Sequence, residues 1–192
     1  MTRMDLFFTL YQTIYDDISI PINNEPNDVV AQYGNMVYRL AFAKLQNRHD
    51  ADDIFQEVFL RYIRRAPQFS NREHEKSWFL RTTINCCKNH WASAWQRKTT
   101  GLSEVSEQFV VYDNEDAQLL AEALAKLAPK YRVVLHLYYY EGLSAEQIAR
   151  LQSIPAGTVR MQLSRGRNLL KDLLIQEHAE LFAEGGGEYD RL

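Results

Sequence analysis

Between Leu127 and Leu174 apolar positions repeat at helical spacing in two runs separated by a short polar break. Leu143, Ile148 and Leu151 supply the apolar side of the first run, and Val159, Leu163, Gly166 and Leu170 recur on one face of the second. Ser144 is placed to cap the first helix, with Gln147 three residues on completing a capping box. The break is Gln152-Ser153-Ile154-Pro155. Pro155 cannot continue the first helix but suits the opening of a second. The pattern predicts a helix-turn-helix. A helix opened by Pro129 and closed by Gly142 precedes it and is expected to pack Tyr131, Val134, Leu135 and Tyr138 behind the pair.

Upstream, the same periodicity predicts more helices. In residues 1–27, Leu6, Phe7, Leu10, Tyr11, Ile14 and Tyr15 recur every four residues, giving a short amphipathic helix that ends before Pro21 and Pro26. It either docks on the nearest core or masks a binding face until displaced; amphipathicity reports burial and does not choose. From Asp28 to Gln46, Val30, Tyr33, Val37, Leu40 and Ala41 form one stripe. A third helix opens at Asp50. Its acids Asp50, Asp52 and Asp53 lie at the positive end of the helix dipole and Arg61, Arg64 and Arg65 at the negative end. Ile54 and Val58 share one side with Arg61 and Tyr62, while Asp53, Gln56, Glu57 and Leu60 form another stripe, which suits either solvent or a partner. Pro67 closes this helix, a polar loop runs from Phe69 to Glu75, and a long helix follows to Lys98.

Charge changes the picture through its distribution. The 192-residue chain carries a net charge of -3, which by itself argues against nucleic acid. Yet residues 60–100 hold nine basic side chains against Glu73 and Glu75, whereas residues 99–122 hold only acids. Residues 99–116 therefore read as a flexible acidic linker between two small domains, and the Gly-rich tail beyond Glu184 is expected to be disordered. The fold class is all-α: two helical domains joined by that linker, the second a helix-turn-helix. The expected divisions are 1–27, an N-terminal extension; 28–98, the first domain; 99–116, the linker; 117–175, the second domain; and 176–192, an acidic tail.

Candidate chemistry follows from charge on helices. No acid lies between Gln147 and Lys171, so the second helix of the pair presents Arg160, Gln162, Ser164, Arg165, Arg167 and Lys171 opposite its apolar face, a surface suited to phosphates and major-groove base edges. The plainer alternative is an ordinary helical hairpin with a solvated basic face. In the 75–98 helix, Trp78, Phe79, Trp91 and Trp95 are interleaved with Lys76, Arg81, Lys88, Arg97 and Lys98. Cations can follow a single-stranded backbone while rings stack on unpaired bases, at ~1–3 kcal/mol per base, enough to offset unstacking. Most helical aromatics are core, and Trp78, beside the polar loop, is the better candidate for touching bases.

Other chemistry fares poorly. No nucleophile and base, carboxylate dyad, Gly-rich phosphate loop or closed metal set stands at useful spacing, so no catalytic residue, metal or cofactor is expected. Cys86 and Cys87 are adjacent and cannot readily bridge to each other, which suits a reducing cytosol. With His90 they lack a fourth ligand for zinc. No apolar run approaches the ~20 residues of a membrane span, and the Leu6–Tyr15 stretch is a poor signal peptide.

Two blocks of residues resemble the extracytoplasmic-function (ECF) sigma factors of the bacterial sigma-70 family. In the second domain the string is Tyr131-Arg132, Glu141-Gly142-Leu143-Ser144, Ile148-Ala149, Ile154-Pro155, Gly157-Thr158-Val159-Arg160, Leu163-Ser164-Arg165 and Arg167, similar to region 4. In the first it is Val37-Tyr38-Arg39-Leu40-Ala41, Asp50 through Leu60, Trp78-Phe79-Leu80-Arg81 and Asn85, similar to region 2. Departures are Gln152-Ser153 in the turn, where the family has Leu-Gly, Met161-Gln162 in place of Ser-Arg, and Asn89 in place of an Asp.

The resemblance implies a non-enzymatic, cytoplasmic subunit that recruits core RNA polymerase and directs it to promoters. It implies that Asp53, Gln56 and Glu57 dock on the clamp helices of the largest subunit, while the flap of the second-largest subunit is a further contact. Phe69, Trp78, Arg81 and Asn85 would meet the -10 element, and Thr158, Arg160, Met161, Gln162, Ser164 and Arg165 the -35 element. An anti-sigma protein is the expected restraining partner. The rival without the resemblance is a two-domain transcriptional regulator that binds duplex DNA but not polymerase.

Overall fold

A computed structural model describes residues 9, 12–16, 18, 29–98 and 115–177, with the side chains of 91–98, 115 and 177 left aside. The described residues form helices and no strands. Three helices make the first domain: α1 (Val29–Leu45), α2 (Arg48–Arg65) and α3 (Arg72–Lys98). Four make the second: α4 (Glu115–Lys126), α5 (Pro129–Leu135), α6 (Ala145–Gln152) and α7 (Ala156–Glu177). A π-helical stretch, His136–Tyr140, continues α5. A helical turn at residues 12–16 precedes both in the chain and packs against them through the buried Ile14 and Tyr15. Most of the acidic linker, the tail beyond Glu184, Phe7 and the side chains of Trp91 and Trp95 fall outside the described residues.

Local chemistry sets the helix ends. Asn47 precedes α2 and its side chain accepts the Asp50 amide at 3.0 Å, so the helix begins two residues earlier than the acid cluster predicts. It ends at Ala66, in the left-handed conformation, just before Pro67. The following loop is also shorter than expected: Asn71 accepts the His74 amide at 2.8 Å, and α3 starts at Arg72 instead of Glu75.

The first core is built on α1. Val37, Leu40 and Ala41 are buried as the stripe predicts, but so are Gly34, Tyr38, Phe42 and Ala43. A helix buried on more than one side has a neighbour on each. One is α2, packed through Ile54, Val58 and Phe59, together with Phe79 and Leu80 of α3. The other is α5 of the second domain, where Arg132 reaches across to α1.

In the second domain Val134, Leu135, Ile148, Leu151, Val159, Leu163 and Leu170 form the core. Gly166 lets α7 come close to α5: a Cβ there would lie 3.3 Å from Tyr131 Cβ. Tyr138 departs from expectation and is 40% exposed. The cause is the π-helical stretch, in which the Glu141 amide bonds back five residues to the His136 carbonyl at 3.2 Å. The wider turn shifts the phase, so His136, Leu137 and Tyr139 face inward in place of Tyr138.

Candidate nucleic-acid interface

The helix-turn-helix forms as its residues dictate. Gln147 N–H donates to Ser144 Oγ at 3.2 Å and Ser144 N–H to Gln147 Oε1 at 2.8 Å, closing the capping box. Ser153 takes the left-handed conformation that ends α6, its amide bonded to the Ala149 carbonyl. Gly142, at φ +68, makes the sharp exit from the π-helical stretch into α6.

With Val159, Leu163, Gly166 and Leu170 inside, α7 turns its polar side chains outward. Arg160, Met161, Ser164 and Arg165 are exposed; Thr158 and Gln162 are half-buried. Four of the six predicted residues thus lie on the outer surface of one helix, while Thr158 and Gln162 are partly covered and the Gln162 side-chain oxygen is buried. Arg160 is not bare, however. Its guanidinium pairs with Glu146 at the start of α6. No acid precedes Asp172 on α7, but the neighbouring helix supplies one, a contact invisible in a single-helix reading. The Glu146 carboxyl is held below its usual range first by its own backbone amide, then by Arg160. Arg160 and Arg167 border an open groove of about 920 Å³ between α6, α7 and the Tyr138–Tyr140 stretch.

On the first domain, Phe69 and Trp78 come together although nine positions apart. Their ring centroids are 6.0 Å apart with planes at 63°. Tyr62 stacks on Phe69 at 6.5 Å, and His74 meets the same ring edge-on at 5.5 Å. Phe79, fully buried, lies beneath Trp78 at 5.0 Å. The half-buried Phe69 and Trp78 are thus rings fixed from below with an open side, the geometry of a stacking platform. The reading of the 75–98 helix missed Tyr62 and His74; only the chain reversal at Ala66–Asn71 brings them in. Arg81 and Asn85 are exposed further along α3 and outside this cluster. Arg81 Nη2 donates to the Arg150 carbonyl of the second domain at 3.3 Å.

The polar stripe of α2 is open. Asp53, Gln56 and Leu60 are exposed, and Ile63 is 71% exposed. Glu57 accepts Arg61 Nε at 2.6 Å, which tethers its carboxylate along the helix. An exposed acidic and apolar stripe on a rigid helix can dock a protein groove. Cys86 and Cys87 are free and buried, and burial pushes the Cys87 thiol up to about 12. Among the described residues no three metal-ligating side chains converge. Nor is any described helix long and apolar enough to cross a membrane.

A helical body with a cluster of aromatic rings on one domain and a capped helix-turn-helix with an exposed basic helix on the other has the outline of a DNA-binding protein. Comparison with known proteins narrows the class. The chain matches Sigma-70 region 2 over residues 29–97 and Sigma-70 region 4 over residues 117–170. It is 30% identical over 133 residues to the ECF RNA polymerase sigma factor SigC of Mycobacterium tuberculosis, covering 67% of this chain and 72% of that one. It is 31% identical over 163 residues to the ECF RNA polymerase sigma factor SigE of Mycolicibacterium smegmatis, covering 80% of this chain and 63% of that one. In fold it is similar to the sigma factor RpoE of Bartonella quintana, solved with the anti-sigma factor NepR, with TM-score 0.64 and 19% identity over 76% of this chain and 93% of that one. The chain belongs to the sigma-70 family and is an ECF-type, promoter-recognising sigma factor.

Proposed function

We propose that the chain divides its work as follows. Residues 28–98 hold core RNA polymerase and the -10 element, residues 117–175 read the -35 element, residues 99–116 link them, and residues 1–27 and 176–192 are appendages. The stripe of Asp53, Gln56 and Glu57 docks on the clamp helices of the largest polymerase subunit, with the flap of the second-largest subunit as a further contact. Phe69 and Trp78 stack on an unstacked -10 base while Arg81 and Asn85 follow the strand. Thr158, Arg160, Met161, Gln162, Ser164 and Arg165 enter the -35 major groove. The protein acts in the cytoplasm, without catalysis of its own, under restraint by an anti-sigma protein. The bound NepR of the RpoE structure supports that last step by analogy only.

The observation that carries this reading is the Phe69–Trp78 platform, 6.0 Å between rings and open on one side, beside a strongly basic helix. A duplex-only regulator has no use for it. Run-off transcription with core polymerase and a promoter library tests the whole. Start-site selection that depends on the chain is expected; no stable complex with core enzyme would reject it. Trp78→Ala should slow promoter opening more than recruitment, read by permanganate footprinting.

A further inference from the structure

The two domains are not apart. Arg132, 5% exposed, donates from the second domain to the carbonyls of Ala43 at 2.8 Å and Lys44 at 3.2 Å on α1. Lys76 of α3 pairs with Glu141 at 2.8 Å. Arg81, proposed above to follow the -10 strand, is engaged by the Arg150 carbonyl. Over this seam lie residues 12–16 and Ile18, of which Ile14, Tyr15 and Ile18 are at most 3% exposed. Tyr15 packs against His136 and Tyr140 of the second domain, at 4.5 and 5.7 Å between rings. Asp16 accepts from Tyr140 at 2.7 Å and pairs with Arg39 of the first domain at 3.0 Å. One helical turn therefore touches both bodies.

This arrangement does not fit a promoter. Elements some 25 base pairs apart are separated by roughly 80 Å of duplex. A compact chain of this length is only about 40 Å across. Sixteen residues separate Lys98 from Glu115, enough to reach roughly 55 Å when extended, so the covalent link permits separation. The seam combines buried apolar side chains with ion pairs and main-chain carbonyls, and water can replace the partners of the polar part once the domains separate.

We propose that residues 12–16, with Ile18, are an intramolecular clasp that holds the two domains closed, keeps Arg81 engaged and prevents simultaneous contact with both promoter elements until polymerase opens the chain. The inference rests on the sigma-factor reading above. Its test compares the full wild-type chain with Tyr15→Ala and Asp16→Ala by small-angle X-ray scattering and by run-off transcription at limiting concentration.

Wild type should be compact, and both variants should show a larger radius of gyration with helical content kept. The concentration for half-maximal run-off should fall roughly fivefold, as expected when a binding-competent state becomes more populated. Where Tyr15→Ala fails to fold, a charge exchange carries the test: Lys76→Glu should expand the chain and Lys76→Glu with Glu141→Lys should close it again. Unchanged dimensions in every variant overturn the clasp. Expansion with no gain in run-off overturns its inhibitory role. Wild-type run-off that the variants merely match overturns the inhibition and leaves the sigma-factor assignment standing, whereas no run-off from wild type or any variant overturns the assignment and the inhibition together.

Discussion

Arg132 Nε on α5 donates to the Ala43 carbonyl on α1 at 2.8 Å, across the boundary between the two domains. Its Nη1 also reaches the carbonyls of Ala125, at 2.9 Å, and Leu127, while Nη2 takes that of Lys44. One planar guanidinium thus closes the turn between α4 and α5 and pins it to the first domain. A fork of five donors fits this task, and an ammonium does not.

Arg132→Ala should therefore leave four carbonyls without their donor and lower stability by about 2–4 kcal/mol, since buried bonds to charged groups are costly to lose. Calorimetry should show a lower Tm and a split of the transition as the domains uncouple. Arg132→Lys should recover only part of the loss. A single unshifted transition in Arg132→Ala would show that the domains are joined by other contacts.

His136 is fully buried, between Tyr15 and Tyr140, and its two ring nitrogens have no hydrogen-bond partner among the described residues. Burial first, then the positive charges of Arg39 and Lys76, push its pKa down to about 3. The unfolded or opened chain, with His136 near 6.5, binds the extra proton in the window between these values. The stability of the closed state is thus fully present above about pH 6.5. It is lost as pH falls toward 3, with a slope of up to ~1.4 kcal/mol per pH unit. Denaturant titrations at pH 7.5 and 5.5 should show the fall in wild type and a flatter response in His136→Phe.

Glu146 and Arg160 are a second lever. Glu146→Gln frees the guanidinium and removes a negative charge from the DNA-facing side, so binding to -35 duplex should tighten. Arg160→Ala and Arg165→Ala should each weaken it and reduce the salt dependence by about one counterion. Fluorescence anisotropy over a salt series checks both; unchanged slopes would place the DNA contact on another surface.

Ser144→Ala removes one half of the capping box and should cost about 1 kcal/mol. Because α6 supports α7, -35 affinity should fall with it, whereas binding to core polymerase through α2 should not. Gly142→Ala strains a left-handed position and should destabilise the domain by a similar ~1 kcal/mol. Thermal melts of the two variants, beside a polymerase pull-down, separate the effects.

Much of this molecule is determined by sequence alone. Ser144, Gln147 and Pro155 are local punctuation, and each does in the structure what its chemistry requires within a few residues of itself. The inward rows Ile54–Val58 and Val159–Leu163–Leu170 follow because a helix repeats every 3.6 residues and one face must be buried. Periodicity says nothing of what covers a second face. That α1 is buried on the side of Tyr38, Phe42 and Ala43, that Tyr138 turns out to solvent, that Glu146 reaches Arg160 and that Tyr62 joins Phe69 all depend on contacts between distant segments or on a turn widened by one residue. The pairing of domains through Arg132, and the turn at residues 12–16 laid across them, were decided only when the chain closed on itself. A guanidinium finds carbonyls 88 and 89 positions away through space, and no local spacing records that distance.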